Sequence, residues 1–279
     1  MKIVTDSTSD IPKELLEEYG IEVVPLTVRL GDRTFRDCVD LTPAEFYRML
    51  GETDDFPTTS QPSVDEFLTT YRKLGSDEKI ISIHISTELS ATCQSANVAL
   101  QQLPDWDVTI IDSRLVSLGA GLMVLEAAKA AREGAEPEDV INLVENLKSR
   151  IKVYFSVESL DYLQKGGRIG RAQAFLGTML KIKPLLAIED GMVVPVEKIR
   201  GSNKLIRRIT ELVKNDAGAD KIVKAAFVCG QQEDQMTKLI QQVSDSVQLQ
   251  QVFKANIGTV ITSHAGPTTF GMAYFCENG

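Results

Sequence analysis

Histidine and cysteine are scarce in this chain, and each shortage removes a class of chemistry. Its 279 residues include two histidines and four cysteines. Cys38, Cys93, Cys229 and Cys276 show no CxxC spacing, and only His84 and His264 could join them as zinc ligands, so buried free thiols and no metal site are expected. No G-x-x-x-x-G-K-[ST] loop is present, and no G-x-G-x-x-G follows a strand, so no nucleotide-binding loop is expected. The longest uncharged apolar run, residues 115–125, ends at Glu126. It is too short to span a bilayer, which takes about 20 residues, so no stable membrane insertion is expected. The opening Met1-Lys2-Ile3-Val4-Thr5-Asp6 enters a strand-like pattern without the features of a secretory signal, and a cytoplasmic location is expected. A net charge of -9 argues against nucleic acid as the main partner.

What is present is an ordinary globular composition, 43% hydrophobic and 25% charged, on a chain longer than one comfortable core. Two domains are expected, 1–150 and 151–279. The first half alternates strand and helix. Residues 2–5 form a strand pattern, Asp10 and Pro12 open a helix capped by Gly20, and 21–30 is a second extended run. Thr42-Pro43-Ala44-Glu45 and Ser63-Val64-Asp65-Glu66 are capping boxes that start helices to about 50 and 74. Short strands at 79–85 and 108–111 each precede a helix, near 91–103 and 115–133, and a further helix runs to about 150. Helices between buried strands predict a parallel sheet. The second half shows strand patterns at 153–157, 185–188, 193–198, 223–229, 252–257 and 259–263. Helices are expected near 160–180, 203–214 and 233–245, and Glu189-Asp190-Gly191 signals a hairpin. The fold class is therefore α/β, with an N-terminal parallel sheet and a C-terminal mixed or antiparallel α+β sheet carrying helices on one face.

Residues 80–97 run from an apolar strand through a hydroxyl-rich turn into a helix. Such a turn aims free N–H groups and a positive helix end at whatever sits above it. It lacks glycine, so its backbone suits a pyrophosphate poorly. Ser86, Thr87, Ser90 and Thr92 offer neutral donors sized for a small oxyanion such as a carboxylate. Ser90 could equally be a helix cap. Thr58 to Ser63 form a second hydroxyl cluster before a helix, where capping by Ser63 is the plain alternative. His264 is read as a loop residue ahead of Gly266-Pro267, and His84, in mid-strand, as structural. Ser90, Asp112 and His264 stand in the chain order of a hydrolase triad, but Glu88 and Thr92 occupy the places where G-x-S-x-G needs small residues. The glycine-rich basic stretch Lys165 to Arg171 is either a phosphate cradle or a tight turn with exposed charge. It opens a basic region, ten Lys or Arg against three acids between Lys165 and Arg208, that could dock something anionic.

Taken together, Val4-Thr5-Asp6-Ser7-Thr8-Ser9-Asp10-Ile11-Pro12, Thr59-Ser60-Gln61-Pro62-Ser63, Leu89-Ser90-Ala91-Thr92 with Gln94-Ser95-Ala96, Leu163-Gln164-Lys165-Gly166-Gly167-Arg168-Ile169, Lys183-Pro184 and His264-Ala265-Gly266-Pro267 resemble the DegV family across nearly the whole chain. These are bacterial fatty-acid-binding proteins that serve as the binding subunit of fatty acid kinase. The resemblance implies one long-chain fatty acid in an apolar tunnel between or alongside two α/β domains. Its carboxylate would lie near the surface at the positions matching Thr59, Ser90 and His264. It also implies a separate ATP-dependent kinase that makes acyl phosphate for phospholipid synthesis. The chain itself would then be non-catalytic, with no cofactor beyond the bound acid. In that picture Arg168 and Arg200 of the basic region contact the kinase or the phosphate. The chain departs from the family at Ala91 and Thr268, where glycine is usual. The rival readings are an autonomous acyl-ester hydrolase using Ser90 and His264, and a lipid-responsive interaction protein.

Overall fold

The computed structural model describes residues 1–177, 182–218 and 221–278. Along the first half run β1 (Lys2–Asp6), α1 (Lys13–Tyr19), β2 (Glu22–Val24), β3 (Thr27–Leu30), β4 (Arg33–Arg36), α2 (Pro43–Gly51), β5 (Thr58–Ser60), α3 (Val64–Leu74), β6 (Ile80–His84), α4 (Thr92–Leu100), β7 (Val108–Asp112), α5 (Leu118–Arg132) and α6 (Pro137–Arg150). The second half contributes β8 (Lys152–Ser156), α7 (Asp161–Lys165), β9 (Lys183–Glu189), β10 (Met192–Ile199), α8 (Ser202–Ala217), β11 (Lys221–Cys229), α9 (Glu233–Ser244), β12 (Leu249–Asn256), α10 (Thr259–Ala265) and β13 (Phe270–Asn278). Two of the starts are set as the sequence predicts. Thr42 with Glu45 and Ser63 with Glu66 form reciprocal capping boxes on α2 and α3. Asp190 and Gly191, both at positive φ, make the tight turn between β9 and β10.

The strands assemble into a parallel four-stranded sheet ordered β2-β1-β6-β7, a mixed six-stranded sheet ordered β10-β9-β8-β13-β11-β12, and a small antiparallel sheet ordered β4-β3-β5. The fold class is thus α/β with a parallel and a mixed sheet, as expected. α5 lies between the two large sheets. Its eleven residues from Leu118 to Ala128 are buried on every side, joining Ile81 and Ile111 of one sheet to Val153, Phe155 and Ala273 of the other in one apolar core. A helix without a polar stripe has to be enclosed in this way.

Several expectations change. The mixed sheet has helices on both faces: α8 and α9 pack on one, with Phe227, Met272 and Tyr274, while α5 packs on the other. The run 21–30 is two strands in different sheets, broken at Pro25, which has no N–H to continue a ladder. The polar segment Thr58–Ser60 is a strand of the small sheet, which no periodicity revealed. β13 was also missed, although it sits centrally between β8 and β11, because Gly271 and Ala273 dilute its pattern. The segment read as a strand at 259–263 is the helix α10. Its β-branched residues favour strand, but tertiary hydrogen bonds override that preference: Thr259 donates its N–H and hydroxyl to Asp37 at 3.2 and 2.6 Å. The helix expected near 160–180 is α7 and a separate 3-10 turn over Gly170–Phe175, interrupted where Gly167 and Gly170 take positive φ; its part at 178–180 lies outside the described residues. Asp10 does not open α1, whose N-cap is Pro12. It adopts a left-handed conformation and turns its carboxylate inward.

The joint between the sheets is tight at Gly121 on α5. A Cβ there would collide with the Ser9 carbonyl oxygen and press on Ile11 and Phe253 at 3.1 and 3.2 Å. Gly121→Ala is expected to destabilise the protein by about 1–3 kcal/mol, read as a lowered urea midpoint at an unchanged slope.

Candidate functional site

One strand, two loops and one short helix converge over an apolar cavity at the joint. β5 supplies Thr59. Period-2 alternation turns Thr58 and Ser60 outward and Thr59 inward, opposite Val28 of β3. α10 supplies His264, whose Nε2 lies 2.7 Å from Thr59 Oγ1. His264 is the next-to-last residue of this helix and largely buried, a correction to the exposed loop position read from Gly266-Pro267.

The turn after β6 supplies Ser90. Ser86 closes that turn by accepting the Ser90 N–H at 3.0 Å, and the Ser90 hydroxyl pairs with Thr92 Oγ1 at 2.9 Å. Ser90 is not the helix cap: the N-cap of α4 is Ala91, and no side chain accepts a capping hydrogen bond there. Ala91 has φ -81, a conformation open to any residue, so an alanine at this position causes no backbone strain.

The basic loop after α7 completes the mouth. Arg168 donates from Nε to the Leu89 carbonyl at 3.0 Å and from Nη1 to the Gly166 carbonyl at 2.8 Å, linking this loop to the turn beside Ser90. Gly166 has to be small, because a Cβ there would collide with His264 Nδ1. Nδ1 is itself buried with no hydrogen-bond partner. Burial, with the Arg168 charge adding to it, lowers the His264 pKa to about 4, so the ring is neutral at pH 7.

Thr59, Ser90, Arg168 and His264 therefore line one cavity, together with Gln61. Beyond them its walls are mainly apolar, among them Ile85, Leu118, Phe155, Val193 and Val228. The space is narrow: about 900 Å³ is free of protein atoms, its mouth included, but the centre of a water molecule fits in only about 110 Å³ of it. Arg200 is elsewhere, exposed just beyond the end of β10 and outside the lining. Thr268 is half-buried just after Pro267 and does not line the cavity. His84 is buried between Ser82 Oγ at 2.7 Å and Asp6 Oδ2 at 3.1 Å, away from the cavity lining.

The triad order is not realised as a relay. Asp112 accepts from Thr87 Oγ1 at 2.6 Å and the Arg114 N–H at 2.8 Å, while His264 pairs with Thr59 and Ser90 with Thr92. Among the described residues no group of three or more His, Cys, Asp or Glu is placed to hold a metal ion, and no helix is long and apolar enough to cross a membrane.

Sequence reasoning missed the supports beneath the site. Ser117 lines the cavity and donates its hydroxyl to Asp10, whose other oxygen accepts the Gly258 N–H at 2.9 Å. The available signal was the polar run Ser7-Thr8-Ser9-Asp10 directly after an apolar strand, all of it buried.

A family model described as "Uncharacterised protein, DegV family" matches residues 1–277. The chain belongs to the DegV family. Protein DegV of Bacillus subtilis is 37% identical over 274 residues, covering 98% of both chains. A solved DegV family structure from Thermus thermophilus, described as showing fatty acid binding, is 39% identical, covers 99% of both chains and superposes with a TM-score of 0.94. A stearic-acid-binding protein from Eubacterium ventriosum is 27% identical, covers 98% of this chain and 97% of its own, and superposes with a TM-score of 0.87.

The neutral imidazole has a testable consequence. Between pH 6.5 and 4 the unfolded chain protonates this histidine while the native state does not, so the stability it contributes is present above pH 6.5 and is lost as the pH falls towards 4. Urea midpoints at pH 7 and pH 5 are expected to differ less in His264→Gln than in the parent. In the parent, the His264 ring should stay neutral at pH 5 by NMR.

Proposed function

We propose that the protein binds one long-chain fatty acid, its chain in the apolar cavity and its carboxylate at Thr59, Ser90 and His264. The observation that carries this reading is the Thr59–His264 pair, grouped with Ser90 and Arg168 on the wall of an otherwise apolar cavity. The fatty acid binding described for the relatives supports it. Burying about 14 methylenes at ~0.8 kcal/mol each grosses roughly 11 kcal/mol before the costs of association, so most of the binding energy comes from the acyl chain. The head group still needs partners, because a carboxylate cannot be desolvated bare. Hydroxyl donors and the open N-terminus of α4 supply them.

Neutral donors leave a carboxylate oxygen nucleophilic. We further propose that the protein presents this oxygen to a separate ATP-dependent kinase in the cytoplasm. There the oxygen attacks the γ-phosphorus, the bond to the β–γ bridging oxygen breaks, ADP leaves, and the acyl phosphate enters phospholipid synthesis. In this division of labour the chain carries substrate and performs no catalysis of its own. Arg168 at the cavity and Arg200 on the surface contact the kinase or the transferred phosphate.

Native mass spectrometry of the purified protein is expected to show the added mass of one fatty acid, and a folded protein that neither carries nor takes up an acyl chain would defeat the reading. Ser90→Ala should weaken binding of a 16-carbon acid by about 10- to 150-fold, the worth of a hydrogen bond to a charged group, without lowering the urea midpoint. Acyl phosphate should form only when protein, kinase and ATP are combined. Arg200→Glu should slow that reaction while leaving the bound acid in place, and equal rates would remove Arg200 from the contact.

A further inference from the structure

We propose that Thr92 is a positioning residue for the head group: its buried hydroxyl donates to Ser90 and so leaves the Ser90 proton free for the carboxylate. The inference rests on the fatty-acid reading above and adds to it a residue that does not itself line the cavity. A carboxylate only accepts hydrogen bonds. Ser90 therefore helps to hold one only if its proton faces the cavity, and its pairing with Thr92 decides whether that proton is available.

At 2.9 Å the pair can form with either hydroxyl as donor. Burial separates the two arrangements. Thr92 has no exposed surface, and among the described residues Ser90 Oγ is the one hydrogen-bond partner of its hydroxyl. Ser90 is only half-buried and lies on the cavity wall. If Ser90 donated, the Thr92 proton would have neither an acceptor nor water, a costly state for a buried hydroxyl. With Thr92 as donor, the proton left over is the one at the mouth, where solvent or a ligand accepts it.

The position of Thr92 in its helix explains why it has no other acceptor. A hydroxyl inside a helix can give its proton to the carbonyl four residues earlier. Thr210 does so to Ile206 at 3.0 Å and Ser263 to Thr259 at 2.8 Å. Thr92 is the first residue of α4, so the corresponding carbonyl, on Glu88, belongs to the turn ahead of the helix and is not its partner. The Cα–Cβ bond of a helical residue leans towards the helix N-terminus, which carries the Thr92 side chain back to Ser90. Thr59 has a comparable support in His264 Nε2 at 2.7 Å. Each of the two head-group hydroxyls is thus backed by one group behind it.

The test is a binding cycle with hexadecanoic acid and its methyl ester on delipidated protein, in the parent, Thr92→Val, Thr92→Ser, Ser90→Ala and the Ser90→Ala, Thr92→Val double variant. Thr92→Val keeps the side-chain shape and removes the hydroxyl, so the Ser90 proton is no longer oriented or polarised from behind. It should weaken binding of the acid by about three- to tenfold and of the uncharged ester by markedly less, while Thr92→Ser keeps the parental affinity. In Ser90→Ala a water at the open mouth takes the Thr92 proton, and adding Thr92→Val should then have no further effect on the acid. Thr92→Val that binds the acid as tightly as the parent, or more tightly, would make Ser90 the donor and overturn the proposal. Equal weakening of acid and ester, or the same loss with and without Ser90, would reduce Thr92 to packing and overturn it as well. Should Thr92→Val not fold, Thr92→Ala enters the same cycle. All of these outcomes leave the fatty-acid reading standing, whereas a parent that binds neither acid nor ester would overturn that reading and the proposal with it.

Discussion

The geometry of the mouth depends on how α10 is seated, because this helix carries His264 to Thr59. Two buried carboxylates hold its first turn. Asp10 accepts from the Gly258 N–H and Asp37 from the Thr259 N–H and hydroxyl, so loops from the N-terminal half clamp a helix of the C-terminal half. Two charged carboxylates so close together in the interior would be costly. Burial, with Asp37 adding to it, pushes the Asp10 pKa up to about 8, so Asp10 is held largely protonated at neutral pH. The clamp then costs less than a pair of buried charges. It fixes the register between the hydroxyl on β5 and the imidazole on α10, which packs against the same small sheet.

Neutrality recurs at the site itself. The His264 ring is neutral, Thr59 and Ser90 are uncharged donors, and Arg168, the one full charge among the described residues that line the cavity, already donates to two backbone carbonyls. Such a surface can desolvate an anionic head group without quenching it. In the proposed reading, binding energy comes instead from the apolar walls, so that affinity and reactivity fall to different parts of the cavity, as a carrier requires if its cargo must react while still bound.

Much of this was legible in the sequence, for identifiable reasons. The capping boxes at Thr42 and Ser63, the Asp190-Gly191 turn and the strand–helix alternation from residue 63 to 150 are local signals, and each forms as read. Thr59, Ser90 and His264 were singled out through hydroxyl clusters, a Gly-Pro signal and the family resemblance, and the fold brings all three to one cavity. What failed was non-local. Thr259-Val260-Ile261-Thr262 favours a strand by composition and becomes a helix because Asp37, more than 200 residues earlier, binds its first turn. Thr58–Ser60 is a strand only because β3 offers it an edge. Asp10 looked like a helix opener because its partners Ser117 and Gly258 are remote in sequence.

The central claim is the orientation of an amphiphile, head at the Thr59–His264 pair and chain along the apolar walls. A crystal structure of the protein loaded with a single long-chain fatty acid tests it most directly. The account predicts carboxylate density within about 3 Å of Thr59 Oγ1 and Ser90 Oγ, with the acyl chain along the apolar walls of the cavity. A carboxylate among the apolar walls away from this pair, or a cavity left empty by protein that has bound the acid elsewhere, would contradict it.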